Sequence, residues 1–152
     1  MKNIFIVMTA LMIAMCGCKS HKNQASNNTM QPKFEENVEW QLVTIRGKRV
    51  EYKEDQRHVT ISFNPEANNV SGCSGCNRYF GTYEANPSKG LLSLGEMNST
   101  KMACPEPFMK LERQYLGALQ KVDRYDMGEY ELKLYQGTTE VLGFEKVQKE
   151  AE

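Results

Sequence analysis

The sequence predicts a single α+β domain in which a curved, mostly antiparallel β-sheet of about six to eight short strands packs around one main helix near residues 106–123. Several short segments alternate apolar and polar residues with a period of two, which is typical of strands with one buried face. One longer segment carries apolar residues every three or four positions, which is typical of an amphipathic helix. Many short strands with a single helix favour the α+β class over a helical bundle.

Residues 1–17 indicate a lipoprotein signal peptide rather than part of the fold. Lys2 supplies a positive charge, and residues 4–15 are apolar apart from Thr9. This run is too short to cross about 30 Å of hydrocarbon. It leads into Cys16-Gly17-Cys18-Lys19, which resembles the lipobox of bacterial lipoproteins, where a cysteine after a small residue receives a diacylglyceryl group. Because Gly17 precedes it, Cys18 is the predicted site of lipid attachment.

A lipid anchor on Cys18 would make a membrane the first partner of the mature protein, since several acyl chains together bind firmly. Lys19 stands where an aspartate would resemble an inner-membrane retention signal. We therefore expect an outer-membrane lipoprotein that faces the periplasm. Ordinary secretion and a cytosolic location are the alternatives.

The mature chain divides into two parts. Residues 18–37 are rich in Asn, Ser and Lys and predict a flexible polar tether, because such a composition buries too little apolar surface to order the chain. Residues 38–149 have the size of one domain. The whole sequence holds 19 basic and 19 acidic residues. This balance gives no basic excess that would attract nucleic acid, which is excluded as an expected partner.

The predicted elements follow one another along the domain. The strands are placed at 39–46, 59–63, 70–83, 92–94, 130–134 and 140–147, with glycine-containing turns at several of their ends. The helix carries one apolar stripe, and two prolines suit its first turn. The stripe consists of Phe108, Leu111, Tyr115, Ala118, Leu119 and Val122. Glu112 and its charged neighbours are expected to face water or the rim of the domain.

One pair of motifs resembles a known family. Gly75-Cys76-Asn77-Arg78-Tyr79-Phe80-Gly81-Thr82-Tyr83, then Ser99-Thr100-Lys101-Met102-Ala103-Cys104, and then Glu112 in the helix, resemble the META domain of HslJ-like heat-shock lipoproteins. The resemblance covers residues 38–146. It implies a mixed α/β fold in a non-enzymatic envelope protein linked to stress response or drug tolerance. It supplies no cofactor and no catalytic residue, and the partner it implies is an unknown envelope protein or a small ligand.

Three cysteines belong to this segment. Cys76 and Cys104 occupy the two cysteine positions of the family, and Cys73 is an extra thiol. A disulfide between Cys76 and Cys104 is expected in an oxidising compartment. A bridge between Cys73 and Cys76, or a thiol-active protein that uses this pair, remains an alternative. The same cysteines with His58 offer zinc-type ligands, but a second ligand pair is missing, so no metal site is predicted.

The remaining candidates concern binding. The mature chain contains only two histidines and no nucleophile elbow, phosphate loop or metalloprotease motif, so no enzyme is predicted. Asn77 is expected to hold a turn through hydrogen bonds from its side chain to the backbone. Asn77, Arg78 and Tyr79 are candidates for a surface contact. A small-ligand carrier that uses the concave sheet is a further alternative.

Overall fold

The structure is a computed structural model that describes residues 31–148. The predicted signal peptide, Cys18 and most of the predicted tether lie outside these residues. The strands are β1 (Glu39–Ile45), β2 (Lys48–Arg49), β3 (Thr60–Asn64), β4 (Asn69–Cys73), β5 (Arg78–Asn86), β6 (Leu91–Leu94), β7 (Asn98–Ser99), β8 (Arg124–Met127), β9 (Glu131–Gln136) and β10 (Thr139–Lys146), and the helix is α1 (Glu106–Leu119). Within the described range, no helix has the length and apolar character that a membrane crossing requires.

The sheet closes on itself. Its strands run in the order β1, β3, β4, β5, β6, β8, β9, β10, and β10 pairs back with β1, where Leu42 lies opposite Phe144. The predicted α+β class, with a curved sheet packed around the helix, is therefore wrong: the domain is a closed, antiparallel, mostly β barrel of eight strands. Closure pairs the backbone groups that two edge strands would otherwise leave free. The short strands β2 and β7 pair with β1 and β5 outside this ring.

Apolar side chains fill the interior, which explains why the helix is not inside the sheet. A barrel of eight strands is just wide enough for the inward-facing side chains themselves. They alternate along each strand and include Trp40, Leu42, Ile61, Phe63, Val70, Tyr79, Tyr83, Leu92, Tyr125, Leu132, Leu134, Leu142 and Phe144. The helix α1 packs against β1 and β10.

The helix covers one end of the barrel. Pro105 precedes it and Pro107 lies in its first turn, where a missing N–H is tolerated. It ends at Leu119, earlier than predicted. The ring of Tyr115 is fully buried and lies 6.3 Å from the ring of Phe144. The predicted apolar stripe therefore faces the barrel.

Residues 31–37 belong to the folded domain, although the sequence assigned them to the tether. The ring of Phe34 stacks on Phe63 at 3.8 Å and meets the edge of Tyr83. The N–H of Gln31 donates to the carbonyl of Pro87 at 2.8 Å. A single aromatic residue in a polar segment gives little periodic signal. The predicted domain boundary at residue 38 therefore lies C-terminal to residues that are already packed into the domain.

Candidate functional site

A disulfide between Cys76 and Cys104 joins the loop after β4 to the residue before the Pro105 cap of α1. The two Cα atoms lie 6.0 Å apart, and Cys76 is buried. The predicted pairing is thus present. Cys73 is a free, half-buried thiol at the end of β4, where it lies opposite Arg78 in the β4–β5 ladder. Because the sulfurs of Cys76 and Cys104 are bonded to each other, neither can serve as a thiolate for a redox pair with Cys73 or for zinc.

Glu112 of α1 holds the same loop from the other side. Its carboxylate accepts hydrogen bonds from the backbone N–H of Asn77 at 2.9 Å and from the side-chain Nδ2 of Asn77 at 2.9 Å. It also accepts the hydroxyl of Ser74. Glu112 is half-buried, which agrees with the expected place at the rim, but its carboxylate is bound by this loop rather than left to water. The carboxylate lies where three donors converge, which fixes the helix against the β4–β5 loop.

Asn77 connects this loop to a third segment. Its amide oxygen accepts the hydroxyl of Thr100 at 2.8 Å and the backbone N–H of Met102 at 2.7 Å. Both of its amide ends are thereby used, and the residue is 3% exposed. The Asn77 side chain makes its backbone bond to Met102, 25 residues away, rather than within a local turn, so it ties two distant segments together. Its burial leaves no side-chain surface for a contact.

Tyr79 is buried as well, and only Arg78 of the three contact candidates is exposed. The hydroxyl of Tyr79 donates to the carbonyl of Thr60 at 2.9 Å and lies 2.6 Å from the hydroxyl of Tyr115. Since the Tyr79 hydroxyl donates its proton to the carbonyl of Thr60, the Tyr115 hydroxyl is the donor in the hydrogen bond between the two tyrosines. Burial raises the pKa of Tyr79 well above its usual value and also raises the pKa of Tyr115. Both phenols are therefore uncharged, and the hydrogen bond between them links the barrel to α1.

Two glycines allow this close packing. Gly75 has φ +96°, a left-handed conformation that other residues rarely adopt. A Cβ on Gly72 would lie 2.0 Å from the carbonyl oxygen of Thr60. The Gly-Cys-Ser-Gly-Cys-Asn motif is thus explained by backbone geometry and contact distances.

Neither a catalytic nor a metal arrangement is visible in residues 31–148. Ser74 contacts a carboxylate, but its side chain is fully buried and cannot meet a substrate. The exposed His58 pairs through Nδ1 with Gln41 Oε1 at 2.9 Å. No group of three or more His, Cys, Asp or Glu in the described part of the chain is placed to hold a metal.

The open surface offers two larger concave regions instead. The outer groove, about 810 Å³ in volume, runs over the outer faces of β1, β3, β4 and β5 and includes Cys73, Arg78 and Phe80. The basic cleft, about 820 Å³ in volume, lies between the β1–β2 hairpin and α1. The sequence predicted Arg78 as a contact residue but did not reveal the basic cleft.

Comparisons with known proteins agree with this fold. A protein from Burkholderia xenovorans with an NMR structure is 24% identical, with a TM-score of 0.60 over 84% of this chain and 99% of that chain. A second NMR structure is 23% identical, with a TM-score of 0.54 over 72% of this chain and 89% of that chain. At these identities the likeness shows the shared fold alone. A search among curated proteins returned no match.

Comparison of the sequence with models of protein families identifies the family of this chain. The META domain model matches residues 33–149, which includes Phe34 and therefore begins close to where the packed domain begins. The match contains the disulfide, the Asn77 network and Glu112, and it confirms the resemblance drawn from the two motifs. The chain belongs to the META domain family.

Proposed function

We propose that this protein is a non-enzymatic interaction module of the cell envelope, anchored through a lipid on Cys18 and linked to stress or drug tolerance. The META domain is not a known enzyme family. One observation carries the proposal: the residues of the family motif are used to hold the domain together. Asn77, Glu112 and the disulfide tie the β4–β5 loop, the segment before α1 and the helix into one unit. What remains available for function is the outer surface.

The outer groove is the contact surface that we favour. Phe80 is 58% exposed, and its neighbour Arg78 is exposed on the same outward face of β5. Exposed aromatic and arginine side chains on a rigid strand are typical anchors of protein–protein contacts. The Asn77–Glu112 network at the start of β5 supports this use, because its hydrogen bonds hold the strand in place before a partner binds.

The two alternatives have less support. A small-ligand carrier needs space inside the sheet, and core side chains occupy the barrel interior. A dithiol mechanism needs Cys76 as a partner of Cys73, and Cys76 is bonded to Cys104. Neither alternative is proposed here.

The anchor and the contact surface are tested separately. Cells that express the wild type or Cys18→Ser are labelled with radioactive palmitate and fractionated. Label in the outer-membrane fraction for the wild type alone supports the anchor, and label that persists in Cys18→Ser contradicts it. The drug sensitivity of a deletion strain complemented by each form then tests the link to tolerance.

For the contact surface, a photo-crosslinking amino acid replaces Phe80 in one variant and Tyr130 in another. Tyr130 is a matched control because it is 55% exposed and lies outside the outer groove. We expect a discrete crosslinked product from position 80 that is lost with Arg78→Glu. Equal products from both positions, or none from position 80, would refute the outer groove as the contact surface.

A further inference from the structure

The basic cleft concentrates positive charge in a protein that is neutral overall. The sequence has equal numbers of basic and acidic residues, yet among residues 31–148 the only carboxylate that lines the basic cleft is Glu51. Arg113 lines it too and pairs with Glu106. Six further cations lack a carboxylate within ion-pair distance among the described residues, and these are Arg46, Lys48, Arg49, Lys53, Lys110 and Lys121. Like charges brought together without counter-charges repel one another, so this arrangement favours a bound anion.

The cations come from two opposite walls. One wall is the β1–β2 hairpin with the segment that follows it, which carries Arg46 and Lys48. The other wall is α1, which carries Lys110. A ligand that contacts both walls must therefore present negative charge at more than one position.

The hairpin turn shows that one of these cations occupies an unfavourable backbone position. Four non-glycine residues in the described chain have positive φ, and three of them are Asn or Asp, which tolerate this conformation. The fourth is Arg46, with φ 50°, next to Gly47 with φ 73°. Asn is the residue that such a two-residue hairpin turn normally prefers at this position. The arginine is thus kept at a conformational cost at the edge of the basic cleft.

A buried donor lies beside these charges. Gln56 lines both the basic cleft and the outer groove and is 8% exposed. Its Oε1 accepts the backbone N–H of Lys53 at 3.0 Å, so the amide cannot exchange its two ends without losing this bond. Its Nε2 is the one buried side-chain nitrogen or oxygen without a partner in residues 31–148. Buried donors are nearly always hydrogen-bonded, and an acceptor bound in the basic cleft would satisfy this one.

We propose that the basic cleft binds an anion that carries two or more phosphate groups. Phosphate oxygens match the planar donor fork of Arg46 and Arg49 and the point charges of the lysines. A monoanion would leave one wall unneutralised. Such phosphates occur on free polyphosphates and on the headgroups of membrane lipids, and both present the same chemistry to the cleft. The basic cleft and the outer groove share only Gln56 among their lining residues, and none of the cations of the cleft lines the groove, so failure of this proposal would leave the proposed function standing.

The test uses the complete mature chain in its Cys18→Ser form, so that the anchor does not itself bind vesicles. Calorimetric titrations use inorganic tripolyphosphate and orthophosphate at about 150 mM salt, where exposed charges further than about 8 Å from the ligand are screened. A parallel arm measures co-flotation with phosphatidylcholine vesicles that do or do not contain cardiolipin, whose headgroup carries two phosphates. We expect tripolyphosphate to bind about tenfold or more tightly than orthophosphate, or co-flotation that requires cardiolipin. The arm that gives binding identifies the source of the phosphate.

Matched variants decide whether the basic cleft is responsible. Lys48→Glu with Lys110→Glu reverses one exposed charge on each wall, and Lys89→Glu with Lys101→Glu makes the same net change at exposed lysines outside the cleft. We expect the cleft pair to weaken binding about tenfold or more, and the control pair to change it about twofold or less. Gln56→Glu keeps the acceptor for the Lys53 N–H but replaces the free donor with an oxygen, and should also weaken binding about tenfold.

Several outcomes would overturn the proposal. They are the absence of saturable binding in both arms, an equal loss in the cleft and control pairs, and tighter binding of a single-stranded DNA oligonucleotide than of tripolyphosphate. If Gln56→Glu does not fold, the exposed lysine pairs still decide the result.

Discussion

Replacing Glu112 by alanine removes the acceptor of three hydrogen bonds and should destabilise the domain by about 3–5 kcal/mol. The donors are the backbone N–H of Asn77, the Nδ2 of Asn77 and the hydroxyl of Ser74. A hydrogen bond to a charged group contributes about 1.5–3 kcal/mol, so three would sum to roughly 4.5–9 kcal/mol. Glu112 is only half-buried, and water that enters after its removal restores part of this sum. The expected loss therefore lies below that sum.

The free energy of unfolding is measured by urea titration, with the fluorescence of the buried Trp40 as the probe. Glu106→Ala is the control, because this glutamate is on the same helix but has a side chain 72% exposed and pairs only with Arg113. It should cost about 1 kcal/mol or less. Glu112→Gln retains one acceptor oxygen and should fall between the two. If Glu112→Ala costs no more than Glu106→Ala, the network does not hold the helix to the loop.

Three further predictions concern the same region. Gly72→Ala places a Cβ 2.0 Å from a backbone carbonyl oxygen and should destabilise the domain by about 1–3 kcal/mol or more. Gly117→Ala adds a Cβ with nothing within 4 Å of it and should stabilise α1 by about 0.5–1 kcal/mol. Unfolding titrations in which both changes shift the stability in the same direction would contradict this. Reduction of the disulfide, whose cysteines are 28 residues apart, should cost about 3.5 kcal/mol, and an unchanged urea midpoint in dithiothreitol would refute it. Since burial raises the pKa of Tyr79 and Tyr115, stability is complete below the unfolded pKa of about 10 and falls above it, by up to about 1.4 kcal/mol per pH unit for each phenol. Burial also raises the pKa of Tyr52 to about 12, so this phenol contributes to the same fall. Tyr115→Phe should lower the slope of stability against pH above about pH 10 by the share of one phenol, and a slope unaffected by this change would show that Tyr115 is not responsible.

The strands were largely predictable because their period is local. Ile61 and Phe63 alternate with polar neighbours and are buried, as the pattern predicts. Closure was not predictable, because the pairing of Leu42 with Phe144 joins the first strand to the last and leaves no trace in either segment alone. The same local patterns are compatible with an open sheet and with a barrel.

The site was predictable in part. The family motif located Asn77 and the disulfide, but turn chemistry did not reveal that the Asn77 side chain bonds to Met102, 25 residues away. Glu112 was assigned to water or the rim because a single acidic residue beside an apolar stripe normally lies there. Its hydrogen bonds to the β4–β5 loop were not predicted, because periodicity does not register a network of polar groups. The basic cleft was hidden for another reason: its cations come from two segments far apart in sequence, and the neutral net charge conceals their convergence.

The pairing of β1 with β10 has a consequence for how the chain folds. Trp40 lies opposite Lys146, so the ring is completed by residues about 100 positions apart. Until β10 has been synthesised, one edge of β1 has no partner, and the apolar face that ends up inside is open to water. Contacts this distant in sequence form slowly, and unpaired strand edges invite association with other chains. We therefore expect C-terminal truncations that remove β10 to aggregate rather than to yield a smaller folded domain.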